Sequence, residues 1–158
     1  MIQRPQSLFL LGSLLLMVGA VMLPAWSGTG LESKSAICGA YSIEMTNPTN
    51  EKVEILSFYY PAIAGVISAL ISLISIFKYN DRMLQMKLGM INSLVIAAFV
   101  GLVQLVNIAE AQNLLTTTDP GVYEIGFYLP LIAVFLNMFS NRLIKKDEDL
   151  VRSVDRIR

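Results

Sequence analysis

Four stretches of this chain are apolar over lengths that match the thickness of a lipid bilayer, and most of the charged residues fall between them. A hydrocarbon core of ~30 Å is crossed by about 20 apolar residues as helix. Helix is the natural form there, because every backbone N–H and C=O must find its partner inside the segment. The stretches cover about residues 7–26, 57–77, 84–109 and 125–143. A soluble domain would spread its apolar positions at helix or strand period. Here they are massed, and they make up 54% of 158 residues. The expected fold is an all-α membrane protein, a single membrane domain over residues 1–158 with four transmembrane helices in an antiparallel bundle.

The same composition removes several chemistries. The chain has no histidine, so Ser-His-Asp and Cys-His catalysis and His-ligated metal sites are excluded. Cys38 is the one cysteine, which rules out an intrachain disulfide and any CxxC redox pair. Net charge is zero, so no global field draws the chain to nucleic acid. No catalytic residue, cofactor or metal is expected.

The first stretch also has features of a secretory signal: Arg4, an apolar run over Leu8–Leu23, and the small-x-small "AWS" of Ala25–Ser27. The uncleaved span is the preferred reading, because the run is long and Trp26 suits an interfacial anchor. A lipoprotein signal fits poorly, since Ile37 stands before Cys38 in "SAIC" where a small residue belongs.

Charge sets the expected orientation. Arg4, the 78–87 turn region and the tail together carry ten of the twelve Lys and Arg, and the opposite side carries only Lys34 and Lys52. The positive-inside rule then puts both termini in the cytoplasm. Trp26, Tyr41, Phe58, Tyr59, Tyr60, Tyr123, Phe127 and Tyr128 gather at the outer ends of the spans, as an aromatic belt would.

The first outer loop, 27–56, is the only extramembrane segment with room for structure. Tyr41, Ile43 and Met45 alternate, Val53 and Ile55 alternate, and "TNPTNE" lies between them. This predicts a short β-hairpin, with an irregular loop as the open alternative. The outer loop 110–124 ends in a turn at Asp119-Pro120-Gly121.

Lipid supplies no hydrophobic drive for helix association, so small residues mark close packing. Gly89, Ser93, Ala97 and Gly101 recur every four residues on span three, and Gly65, Ser68, Ser72 and Ser75 share a face of span two. The expectation is packing within the bundle; one seam turned outward would instead make a homodimer. The span-two serines could also bond their own carbonyls one turn back, and Pro130 is a candidate bend in span four.

Polar groups at membrane depth default to functional candidates. Gln104, Asn107 and Glu110 fall near one another at the outer end of span three, where they form a candidate polar patch for a cation, a headgroup or a proton. The plainer reading is a helix end turning polar as it leaves the bilayer, with Asn92 and Asn137 as interhelical bonds.

Residues 144–158 are dense in charge, with Lys145/Asp149, Glu148/Arg152, Arg152/Asp155 and Asp155/Arg158 at helical spacing. Leu143, Ile144, Leu150, Val151, Val154 and Ile157 fall on one side at 100° per residue. No Gly or Pro follows Pro130. Span four is therefore expected to continue as one helix into the cytoplasm. Asp147, Leu150, Val151, Val154 and Ile157 are the candidate tail contact for a protein partner, and Arg82 or Lys87 would pair with Asp147. A solvated helix beside anionic lipid is the alternative.

The stretches "MIQRPQSLFLLG", "NDRMLQMKLGMIN" and "FYLPLIAVFLNMFSNRLIKKDEDLVRSVDRIR" together resemble a Bacteroidetes-type family of small four-span membrane proteins catalogued as a domain of unknown function. The resemblance covers the whole chain and is most specific in the tail, over Asn141, Arg142, Lys145–Glu148, Leu150–Ser153, Asp155 and Arg156. Pro5 and Asp81 depart from it, where members carry an apolar and a nearby basic residue. The resemblance implies a bacterial inner-membrane protein and transfers no activity. The expected function is a non-enzymatic structural, assembly or accessory subunit of a membrane complex; the alternative is a small-molecule, lipid or ion-binding or transport module that acts as an oligomer.

Overall fold

The computed structural model describes residues 5–30, 34–47, 52–57, 59–115 and 120–155. Helix α1 spans Pro5–Met22, α2 Tyr59–Phe77, α3 Arg82–Leu102, α4 Ala109–Leu115 and α5 Ile125–Asp155. A π-helical segment, Val103–Ile108, joins α3 to α4 without a break. Strands β1 (Trp26–Thr29), β2 (Ser35–Cys38), β3 (Ser42–Thr46), β4 (Lys52–Ser57) and β5 (Val122–Tyr123) complete the element order.

Three helical segments are long and apolar enough to cross a membrane: Tyr59–Phe77 and Arg82–Leu115 with mean hydropathy 2.0, and Ile125–Val151 with 1.4. Helix α1 is apolar as well but falls short of the length of these three. Pro5 opens it, where a missing N–H costs nothing and a fixed φ helps. Asp81 caps α3, its Oδ1 accepting the Leu84 N–H at 2.9 Å. Pro130 lies inside α5 without ending it.

The long helices contact in a closed ring: α1 packs on α2 and α5, and α3 packs on α2 and α5. The connections put one end of the ring at the strands and the other at Pro5, the 78–81 turn and the tail.

The all-α expectation needs correction. A five-stranded sheet of order β4-β3-β2-β1-β5 caps the strand end, antiparallel throughout. The β3/β4 pair lies where alternation predicted a hairpin, with a register irregularity at Met45/Thr46; Pro48 and the turn after it fall outside the described residues. Strands β1, β2 and β5 were not foreseen. Pairing keeps one face of the sheet in register as core: Trp26 lies opposite Cys38, Cys38 opposite Ile43, and Ala36 opposite Met45. All five are buried, and the same core takes in Ile108, Ala111 and Leu115 from the top of the long helix.

Trp26 is a second correction. It is fully buried and not an interfacial anchor. Its indole N–H donates to the Pro120 carbonyl at 3.0 Å. Gly28 and Gly121 leave the space above the ring, and a Cβ at either would strike it. Gly121 also has φ of 65°, a conformation that suits glycine. Tyr59, Tyr60 and Tyr128 remain exposed at the same end of the helices.

Candidate functional site

Polar side chains at the helix interfaces bond from helix to helix. On α2, the Ser68 hydroxyl donates to Asn92 Oδ1 at 2.8 Å, and Asn92 Nδ2 donates to Ser72 Oγ at 2.9 Å. Gln85 Nε2 donates to the Ser75 carbonyl at 3.0 Å. Between α3 and α5, Asn137 Nδ2 donates to the Gly89 carbonyl at 2.6 Å and to Ser93 Oγ at 2.8 Å. Ser140 Oγ donates to the Gln6 carbonyl at 3.1 Å, which ties α5 to α1. Ser68 and Ser72 thus reach across to Asn92, and the hydroxyl that bonds one turn back is Ser93, to Gly89 at 3.2 Å.

Gly65, Ser68, Ser72 and Ser75 of α2 all lie buried; Gly65 sits where a side chain would meet Val21 and Phe99. The row on α3 divides. Gly89 lies against the Asn141 amide, and Ser93 is half-buried, but Ala97 is exposed and Gly101 has open space beside it. A strict four-residue row advances about 40° around the helix at each step. The buried face instead runs through Gln85, Gly89, Asn92, Ile96 and Phe99 at alternating four and three spacing, which holds one seam.

Near the tail end, each ring helix buries a polar atom that bonds none of the described residues: Gln6 Nε2 on α1, Ser75 Oγ on α2, Gln85 Oε1 on α3, and Asn137 Oδ1 and Asn141 Oδ1 on α5. Gln85 bonds the Ser75 carbonyl, and Asn137 and Asn141 both meet Gly89, one turn from Gln85. Four of these five atoms are oxygens, and none of them belongs to a carboxylate.

Gln104, Asn107 and Glu110 do not share a partner. Asn107 is buried and its Nδ2 donates to the Gly39 carbonyl at 2.8 Å, between β2 and β3. Gln104 Oε1 accepts from the Tyr123 hydroxyl at 3.1 Å, on β5. Glu110 is half-buried and bonds none of the described residues. The π segment changes the phase of the helix here, which a constant 3.6-residue period does not anticipate. Two of the three patch residues therefore fasten the long helix to the sheet. Among the described residues, no group of three metal-ligating side chains occurs.

Cys38 is buried under the sheet, and burial pushes its thiol up to about 12 from an ordinary 9.0. A thiol so held is a poor nucleophile.

At the tail end, Arg82 Nη1 donates to the Asp147 carbonyl at 3.0 Å and lies 3.9 Å from a Glu148 carboxylate oxygen. Arg82 meets the backbone of Asp147 and the side chain of Glu148, and the Asp147 carboxylate is not its partner. A cleft of about 450 Å³ lies beside this contact, lined by Tyr79, Asn80, Met83 and Val151 among others. Ile144 is buried, while Leu150 and Val151 stand 58% and 44% exposed. The side chain of Val154, and all of Ile157, lie outside the described residues.

A family profile, Domain of unknown function (DUF4293), matches residues 2–157. The chain belongs to this family. Its membership covers nearly the whole length, tail included, as the quoted segments led one to expect. Compared with curated proteins, the chain finds no match. Apolar helices in a family member of this build are compatible with a membrane protein.

Proposed function

We propose that the chain is a four-span integral protein of the bacterial inner membrane, with both termini in the cytoplasm and the sheet as an outer cap. It is not an enzyme. It serves as a structural, assembly or accessory subunit of a membrane complex, and the end of α5 is its contact with a protein partner. The apolar exposed faces of the ring helices and the one-sided charge of the chain support the membrane placement. The observation that carries the docking role is the exposure of Leu150 and Val151 beyond the Arg82 clamp, on a helix that continues to Asp155.

The test replaces both residues in the full chain (Leu150→Ser with Val151→Ser) and compares proteins that co-purify from native membranes under mild detergent. Loss of a specific co-purifying protein, with insertion and thermal stability unchanged, is the expected outcome. An identical co-purified set removes the docking role.

A second reading, a binding module for a small ion, is favoured by the four buried side-chain oxygens of Ser75, Gln85, Asn137 and Asn141 that bond none of the described residues. Neutral oxygen donors suit an alkali cation better than a zinc-type ion. Thermal unfolding of the detergent-purified chain in sodium, potassium or choline chloride at equal ionic strength tests it. A saturable rise in Tm with one alkali cation, lost in Gln85→Leu, supports this reading; equal Tm in all three salts ends it.

A further inference from the structure

One outward face of α5 changes character within a single turn. At 100° per residue, Phe135, Met138, Phe139, Lys145 and Lys146 all fall within about 60° of Arg142. The opposite side is core, where Asn137 and Ile144 are fully buried. Phe135, Met138 and Phe139 are 62%, 47% and 50% exposed. One turn on, Arg142, Lys145 and Lys146 take over the same face, all exposed. They line a shallow groove of about 370 Å³ together with Asp149, Leu150 and Ser153.

These three cations differ from Arg82, another cation at this end. Arg82 is already held by the Asp147 carbonyl and Glu148. Among the described residues no hydrogen bond or ion pair engages Arg142, Lys145 or Lys146, and Asp149 does not close on Lys145 in spite of its helical spacing. The Ser153 hydroxyl is turned onto the Leu150 carbonyl at 2.7 Å. Read along the helix, the face is apolar, then cationic, then polar. A phospholipid has the same order along its length: acyl chain, phosphate, headgroup.

We infer that Arg142, Lys145 and Lys146 form a headgroup site for an anionic phospholipid whose acyl chains lie along Phe135, Met138 and Phe139. A free phosphate would leave the aromatic stretch without a partner. The chain's net charge of zero makes the attraction local to this face. This rests on the membrane placement proposed above and names the lipid class that one helix face selects. Removing one such cation weakens an anionic-lipid contact about fivefold, and removing three weakens it on the order of a hundredfold.

The full chain in neutral detergent is titrated with fluorescent phosphatidylglycerol and, separately, phosphatidylcholine. The expected result is a strong preference for phosphatidylglycerol. The triple variant Arg142→Gln, Lys145→Gln, Lys146→Gln loses that preference, while Lys145→Arg with Lys146→Arg, and Arg82→Gln, retain it. Equal binding of the two lipids overturns the site, as does a preference that survives in the triple variant. Displacement of phosphatidylglycerol by millimolar inorganic phosphate reassigns the cations to a soluble anion and overturns the lipid assignment. Where the triple variant does not fold, Arg142→Gln alone is read, and an unchanged affinity counts against the site. Alkaline extraction keeps the two readings separate: a chain stripped from membranes without losing its lipid preference contradicts the spanning placement and leaves this site standing.

Discussion

The side-chain amide of Asn137 donates to the Gly89 carbonyl across 2.6 Å, and the same nitrogen reaches Ser93 Oγ. Residue 89 can offer its backbone this way because it has no side chain, and the neighbouring Asn141 amide occupies the place a Cβ would take. Glycine and amide act as one unit. Gly89→Ala is expected to cost about 1–3 kcal/mol by overpacking. Asn137→Ala is expected to cost about 1 kcal/mol, in the range of interhelical bonds in membranes. Because the two share a contact, the double variant should fall short of the sum. Thermal unfolding in detergent gives all three values, and strict additivity would contradict the shared contact.

Trp26 is the only tryptophan, so its fluorescence reports on the sheet cap alone. A fully buried indole should emit at short wavelength and resist iodide in the folded chain. Gly121→Ala meets both the ring and a positive φ, and should shift the emission to longer wavelength and destabilise the cap. Trp26→Ala should cost about 3–5 kcal/mol. An indole readily quenched from lipid by brominated acyl chains would return it to the interface.

Much of the architecture was legible because bilayer-length apolar blocks leave few alternatives, and the fate of Trp26 marks where that stopped. A tryptophan at the end of an apolar run looks the same whether it faces headgroups or lies under a cap. Its neighbours in the structure come from far along the chain, Tyr123 on β5 and Pro120 before it. Strands as short as "WSGT" and "VY" carry too little period to announce themselves, whereas Ile43 and Met45 alternate long enough to be read. The polar patch was legible by composition but not by geometry, because across the π segment Gln104 meets β5 while Asn107 meets the turn between β2 and β3. The continuation of α5 to Asp155 follows from an uninterrupted run of helix formers after Pro130.

Cys38 gives a pH dependence with a definite sign. Burial raises the folded thiol to about 12 from 9.0, so the fold favours the protonated form. This contribution is complete below about pH 9 and is lost as pH rises through the folded value. Denaturation midpoints should fall between pH 9 and 11 in the natural chain, and less so in Cys38→Ala. At pH 7.5 the thiol should resist maleimide until the chain is unfolded. Rapid labelling of the native chain would contradict the burial.

Arg82 clamps the start of the tail through Asp147 and Glu148. An ion pair of this length at partly exposed side chains contributes no more than about 1 kcal/mol. Arg82→Gln should leave Tm nearly unchanged and yet speed trypsin cleavage after Lys145 and Lys146 several-fold. An unchanged cleavage rate would mean the tail is held by Ile144 and its neighbours alone.

The most direct test of the account is the sidedness of the two ends. Tyr41 is exposed at the turn between β2 and β3, and Ser153 lies on the far end of α5. In a Cys38→Ala background, Tyr41→Cys and Ser153→Cys are each treated with a membrane-impermeant maleimide on intact inner-membrane spheroplasts. The account predicts that Tyr41→Cys labels at once and Ser153→Cys labels only after permeabilisation. Equal labelling of both on intact spheroplasts, or the reverse order, would contradict it.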